Sequence, residues 1–460
     1  MSPLELTPGQ MRALGYRAVD LVVDQLSGLG GLPPARGGSR RELEPLFRES
    51  APETGAPPEA VLDQAIGGAL ARTMHVNHPR FFAFVPSPGN FVGAVADFVA
   101  AGFNPFVGTW LAGSGAAEVE LVTIDWLREI CGMPETAGGL FVSGGSMANL
   151  TALAAARQAR LGGDMAGARV YFSSQTHSSV ERALRVIGFA PEQLRKLPAD
   201  AGCRLPLEAL AAAVAQDRRA GLRPFCVAAN AGTTNTGAVD PFPELADFCR
   251  RENLWLHADG AYGAAAMICE QGRAALRGLE EVDSLSLDPH KWLFQPFEIG
   301  CVLLRDRALL REAFRVTPDY LADAHRLREE VHFCDYGVQL TRSFRALKLW
   351  MSIKVFGLAA FREAVAWGFH LAEHAEAVLR RGPEWEIVSP AQMAIVAFRH
   401  RGGEEITKRL APAMIADGYA MLSTTTLGGR TALRFCTINP RTTEAEIEET
   451  VRRLSAAARF

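Results

Sequence analysis

Lysine is scarce in this sequence. Of its 48 basic residues five are lysines, Lys196, Lys291, Lys348, Lys354 and Lys408, and the rest are arginines. Chemistry that needs a primary amine therefore has few side chains to draw on. Paired cysteines are lacking too: the eight are scattered and none falls in a C-x-x-C pair. That pattern speaks against a zinc ribbon or disulfide framework and for free thiols in a reducing cytoplasm. Excess charge is missing, since the net value of −3 leaves no basic face for nucleic acid or an acidic membrane surface. Phe81 to Ala117 carries one formal charge, Asp97, but Pro86, Pro88, Gly89, Asn90, Gly93, Gly102, Asn104 and Pro105 interrupt it. A spanning helix needs roughly 20 uninterrupted apolar residues, so this stretch reads as buried interface and no membrane partner is expected. The opening MSPLELTPGQMR lacks the basic-then-apolar layout of a signal peptide, and a cytoplasmic location is expected. Walker A and G-x-G-x-x-G sequences, internal repeats and low-complexity tracts are absent as well.

What is present is an ordinary globular composition, 48% apolar and 22% charged over 460 residues, enough for two or three structural units. Thr7 and Pro8 open an amphipathic helix whose stripe is Leu14, Ala18, Leu21, Val22 and Val23. A Gly- and Pro-rich connection, 28–58, and a second helix, about 59–74, follow. Residues 1–85 thus read as a helical arm. From Gly138 short apolar runs alternate with helical stretches: Leu140–Val142, Val170–Phe172, Phe225–Ala229, Leu254–His257, Ser284–Leu287 and Cys301–Leu304. This predicts an α/β unit, 86–343, with a mostly parallel sheet whose ligands sit at the carboxyl ends of the strands. A helix from Phe344 to about Arg381, strands near 395–398 and 432–436 and a last helix from Thr443 predict a smaller α+β domain, 344–460.

Four polar motifs fall at those strand ends. Gly144–Asn149 (GGSMAN) opens a helix, where exposed amides can seat a phosphate or simply make a tight turn. Thr176–Glu181 puts His177 beside it, with Ser178 and Glu181 spaced as a capping box. Asp259 ends the run Leu254–Asp259. It is either a carboxylate serving nearby backbone donors or a buried charge that needs a cationic partner. Lys291 lies just past the Ser284–Leu287 run beside His290, Trp292, Leu293 and Phe294. In such surroundings a lysine becomes a usable nucleophile toward an aldehyde. Together these parts suit pyridoxal phosphate: a glycine turn for the phosphate, a lysine for the imine, an aspartate for the pyridine nitrogen and a histidine for the ring face. One motif competes. His370-Leu371-Ala372-Glu373-His374 matches the H-x-x-E-H pattern of zinc hydrolases, with His370, Glu373 and His374 as the working groups. Its helix buries Phe361, Val365, Gly368, Ala372, Ala375 and Leu379, which places both histidines toward solvent, so no metal is expected.

The chain resembles the group II pyridoxal-phosphate decarboxylases, the family of aromatic-L-amino-acid decarboxylase, over nearly its whole length. The resemblance rests on His78–Phe84 (HPRFFAF), Thr176–Arg182, Gly232-Thr233-Thr234, His257–Tyr262, Asp288–Trp292 and Arg342–Lys348 (RSFRALK). It implies an aspartate-aminotransferase-like (fold type I) enzyme and a homodimer with shared active sites. It further implies decarboxylation of an L-amino acid, aromatic by resemblance, through a Lys291 Schiff base and a quinonoid carbanion. By position Lys291 would hold the cofactor, Asp259 pair with the ring nitrogen, Ala261 pack beneath the ring and His177 stack above it. Ser146 and Met147 would bind phosphate, Thr234 would sit beside the cofactor and His290 would adjoin the imine. Ser87 and Phe84 fall at substrate positions, and Val107 and Thr109 would reach into the partner's pocket. Asp288 stands where the animal enzymes carry asparagine, and Val76, Val85 and Thr109 replace bulky aromatic positions. On the catalytic loop, either Phe333 or, with a three-residue gap, Tyr336 takes the place of the family's tyrosine proton donor. Phenylalanine there would favour the alternative outcome, decarboxylation-dependent oxidative deamination to an aldehyde.

Overall fold

The alternating apolar runs fold into one central sheet because each run is too uniformly apolar to tolerate a wet face. The structure, a computed structural model, describes residues 4–316 and 330–459. Its strands are β1 (Gly138–Val142), β2 (Ala168–Ser173), β3 (Leu194–Leu197), β4 (Arg223–Asn230), β5 (Trp255–Asp259), β6 (Ser284–Leu287) and β7 (Gly300–Leu304). They lie in the order β1-β7-β6-β5-β4-β2-β3. β7 runs antiparallel to both neighbours and the other pairings are parallel. The carboxyl ends of six strands therefore open on one side, where the polar motifs stand. β3 escaped the sequence reading: its residues are Leu-Arg-Lys-Leu at an edge, half exposed, with no apolar run to mark it.

A second, antiparallel sheet holds β8 (Trp385–Gln392), β9 (Ile395–His400), β10 (Ser423–Leu427) and β11 (Arg430–Cys436), in the order β10-β11-β9-β8. Phe398 and Phe435 stack at 5.3 Å, and Phe82 meets Phe435 edge-on at 4.9 Å. Phe82 also exchanges backbone hydrogen bonds with Met421 and Cys436. The HPRFFAF segment thus docks on this sheet. The long helix Ala346–Arg381 serves both cores, burying Leu349, Phe361 and Val365 on one and Leu371, Ala375 and Leu379 on the other. It bends at Gly357, whose φ of +76° suits glycine.

The arm is less regular than its periodicity suggests. Thr7 caps the helix Pro8–Ser27 through a capping box with Gln10, and the helix buries no residue. The connection contains a further helix, Arg40–Phe47, begun by a Ser39–Glu42 capping box. The second expected helix breaks into Pro58–Gln64, a wide turn over Ala65–Ala69 that includes Gly67 and Gly68, and a tight turn at Leu70–Arg72. Among the described residues no helix is long and apolar enough to cross a membrane.

One buried ion pair ties the RSFRALK segment to the central sheet. Arg342 and Glu120, both essentially without exposure, contact each other. Glu120 accepts from the Phe141 amide at 2.9 Å, and Arg342 donates to the carbonyls of Phe141 at 2.7 Å and Val107 at 3.1 Å. Its guanidinium also lies 4.8 Å from the Phe333 ring centroid. Removing one partner strands the other charge. Arg342→Met is expected to destabilise the fold by about 3–5 kcal/mol, read as a lowered urea midpoint.

Candidate active site

A cavity of about 510 Å³ opens at the carboxyl ends of the parallel strands. Ser146, Met147, His177, Thr234, Asp259, Ala261, His290 and Lys291 all line it, so eight of the expected residues converge. The helix Gly145–Leu161 begins at its wall, and the first amides of a helix have no carbonyl of their own to meet. The Met147 amide is turned back to the Gly144 carbonyl at 2.9 Å. Gly145 allows close approach: a Cβ there would lie 2.8 Å from the Ala261 methyl and 2.9 Å from Asp288 Oδ2. Gly232, at φ +103°, turns the β4 exit toward Thr234 under the Tyr262 ring.

Asp259 ends β5 and is 6% exposed. Its oxygens accept from three neutral donors: Asn149 Nδ2 at 3.0 Å, the Ala261 amide at 3.2 Å and Ser286 Oγ at 3.3 Å. Lys291 follows β6 across Asp288-Pro289-His290, and its Nζ lies 2.8 Å from Asp288 Oδ2. Asp288 is 1% exposed, and its other oxygen, Oδ1, has no hydrogen-bond partner. Burial holds His290 below the usual imidazole range, and its Nδ1 sits 2.7 Å from the Ile299 carbonyl.

His177 departs from the expected local structure. The helix Ser178–Val186 is capped by His177 itself, whose Nδ1 accepts from the Ser179 amide at 3.3 Å. Ser178 is already helical, and Glu181 reaches Arg185 and Lys196 instead of closing a box.

The family profile described as "Pyridoxal-dependent decarboxylase conserved domain" matches residues 41–401. The chain belongs to this family. It is 48% identical to aromatic-L-amino-acid decarboxylase of Bacillus atrophaeus, over 99% of this chain and 97% of that protein. Phenylacetaldehyde synthase of Arabidopsis thaliana is 30% identical over 96% of this chain and 94% of its own. The crystal structure of Oryza sativa TDC with PLP and tryptamine superposes with a TM-score of 0.94 at 30% identity, covering 100% of this chain and 99% of that one. The enzyme is a pyridoxal-phosphate-dependent decarboxylase of the fold-type-I architecture.

The cavity fits that cofactor. A buried carboxylate given only neutral donors lacks a countercharge, which a protonated ring nitrogen supplies. The glycine-opened helix start suits an anionic phosphate, and Lys291 offers its amine.

Of the other expected residues, one more borders this cavity and the rest lie elsewhere. Phe84 lines the cavity rim, half exposed, with φ +52°. Ser87 does not line the cavity: it is buried beneath the lysine loop and donates to the His290 carbonyl. Val107 and Thr109, expected to reach outward, are 1% and 5% exposed. Val107 packs into this chain's own core. Phe333 and Tyr336 face a separate cavity beside the helix Trp110–Ile130, with their rings 6.0 Å apart. Burial raises the Tyr336 phenol above its usual range. In the competing motif His370 and His374 pair with Glu444, and His374 also with Glu448, while Glu373 stands exposed. No metal-binding cluster forms among the described residues.

Sequence reasoning assigned no role to Asn149, His257, Ser286 or Arg434. Asn149 and His257 lay inside the quoted motifs. Arg434 had no local signal; it is buried in β11 and donates to the carbonyls of Phe84 at 2.6 Å and of Thr234, joining the small sheet to the cavity rim.

Asp288 places a carboxylate beside a phosphate seat, which opposes anion binding. Asp288→Asn is expected to bind pyridoxal phosphate several-fold more tightly, as measured by fluorescence titration of the cofactor-free chain. Weaker binding would show that the Asp288–Lys291 contact matters more than the repulsion.

Proposed function

We propose that this enzyme converts an aromatic L-amino acid to its amine and carbon dioxide. The observation that carries the reading is the convergence of Lys291, Asp259 and His177 on one cavity at the strand ends. The 48% identity to the Bacillus atrophaeus aromatic-L-amino-acid decarboxylase supports the substrate class. The bound cofactor supplies an aldehyde carbon that takes up amino groups and a ring that accepts electrons.

The residues of the chain do the rest. Lys291 would hold the cofactor through its amine, and that amine would also be the base within reach of the cavity. Asp259 keeps a proton on the ring nitrogen by charge complementarity, which strengthens the ring as an electron acceptor. His177 and Ala261 would flank the cofactor ring, and the amides at Gly145 and Ser146 would hold its phosphate. Thr234 lies beside the cofactor and His290 backs the lysine loop. Val85 and Phe84 border the cavity on its apolar side, where a substrate ring gains from burial.

The subunit is a homodimer in this reading. Phe98, Phe103 and Leu111 expose large apolar surface (67, 85 and 73%) on the nearly uncharged 81–117 stretch, and the arm helix leaves Met11, Tyr16 and Val19 uncovered. Large apolar side chains left this open favour a covering partner. Phe103→Glu is expected to shift the sedimentation coefficient from dimer toward monomer and to lower activity in parallel.

The outcome at the α-carbon distinguishes amine formation from aldehyde formation. Incubation with L-tryptophan, L-tyrosine or L-phenylalanine is expected to release amine and carbon dioxide in equal amounts. Stoichiometric hydrogen peroxide, ammonia and aldehyde without amine would overturn the decarboxylase reading in favour of the aldehyde synthase.

A further inference from the structure

Behind the cavity runs a line of buried polar groups that the chemistry above does not use. Trp255 Nε1 lies 2.8 Å from Ser284 Oγ, and Ser284 Oγ lies 2.9 Å from His257 Nδ1. His257 Nε2 lies 3.0 Å from Asn149 Oδ1. The Asn149 amide nitrogen lies 3.0 Å from Asp259 Oδ2 and 2.9 Å from Ser179 Oγ, and Ser179 Oγ lies 2.8 Å from His177 Nδ1. Asn149, His257 and Ser284 have no exposure, and Ser179 has 4%.

The donor direction along this line is determined. An indole N–H can only donate, so Ser284 Oγ accepts from Trp255, and the serine hydrogen goes to His257 Nδ1 because the other end of the line, from Asp259, leaves that nitrogen unprotonated in a neutral ring. The Asn149 amide must turn its NH₂ to the Asp259 carboxylate, because the flipped amide would set carbonyl oxygen against carboxylate oxygen. Its Oδ1 then faces His257, which must carry its proton on Nε2. The second Asn149 hydrogen goes to Ser179 Oγ, whose own hydrogen is left for His177 Nδ1. That nitrogen already accepts the Ser179 amide. A neutral His177 thus carries its proton on Nε2, the edge turned away from Ser179. Burial also holds His257 well below the usual imidazole range, consistent with a neutral ring.

We propose that Asn149 is a positioning residue that couples Asp259 to His177, through a one-way hydrogen-bond chain from Trp255 that fixes the Nε2–H tautomer of both histidines. The chain orients the carboxylate toward the ring nitrogen and presents an N–H donor from His177 at the ring face. Its place in catalysis rests on the proposed roles of Asp259 and His177, whereas the tautomers can be read without any cofactor.

The test uses the full chain labelled with ¹⁵N-histidine, both loaded with pyridoxal phosphate and stripped of it. Two-bond ¹H–¹⁵N spectra are assigned with His177→Gln and His257→Gln variants. Both histidines are expected to show the Nε2–H pattern in the stripped chain, independently of any activity. In Asn149→Ala, His257 is expected to become a tautomer mixture. In the loaded enzyme kcat should fall about tenfold with KM little changed, the scale of one lost hydrogen bond to a charged group. Asn149→Ser, whose shorter side chain no longer spans His257 and Asp259, should give the same mixing at His257 if Asn149→Ala does not fold. An Nδ1–H pattern on either histidine of the native chain, or an unmixed His257 in the variants, overturns the inference. Native tautomers as stated, with kcat unchanged in folded Asn149→Ala, would remove the catalytic coupling while leaving the decarboxylase reading intact.

Discussion

Asp259 is given hydrogen bonds but no countercharge, and much of the active-site architecture follows from that. Carrying a carboxylate to the end of a buried strand costs several kcal/mol unless charge or hydrogen bonding compensates. Asn149, Ser286 and the Ala261 amide compensate in part. A cationic ring nitrogen would complete the balance. The same carboxylate anchors the helix Gly145–Leu161 to β5 through Asn149, so the start of that helix and the Asp259 carboxylate are held in one rigid relation.

The parallel sheet makes that relation possible. Helix crossovers bring the exits of β2, β4, β5 and β6 to one edge, each delivering one chemical group. β7 enters antiparallel and sets Gly300 where a Cβ would lie 2.5 Å from Gly144 Cα and 2.7 Å from Asp288 Oδ1. Glycine at 144, 145 and 300 lets strand, turn and helix crowd together behind the cavity. The small sheet contributes at a distance, since Arg434 grips the carbonyls of Phe84 and Thr234 and so couples its own packing to the cavity rim.

What could be read from the sequence divides along physical lines. Strands buried on both faces announce themselves as apolar runs, and all six expected ones are present in the central sheet. The edge strand β3 and the Thr-rich β10 are half exposed and carry no such pattern. Residues delivered by strand exits, such as Lys291, Asp259 and His177, were legible because a polar group straight after an apolar run is conspicuous. Asn149 and His257 lay in view, but their work depends on contacts more than 100 positions apart, which no local pattern encodes. Burial is equally hard to read locally: Val107 and Thr109 follow an exposed apolar helix yet are buried within the subunit, and Arg342 holds the Val107 carbonyl.

The scarcity of lysine acquires a further meaning once burial is known. Lys348 is 3% exposed and paired with Asp97 at 2.7 Å, which leaves Lys196, Lys354 and Lys408 as the amines open to water. Aldehydes add reversibly to any accessible amine. A protein built around an aldehyde cofactor therefore presents it with few decoys, and its surface is correspondingly poor in side-chain amines for other simple aldehydes to condense with.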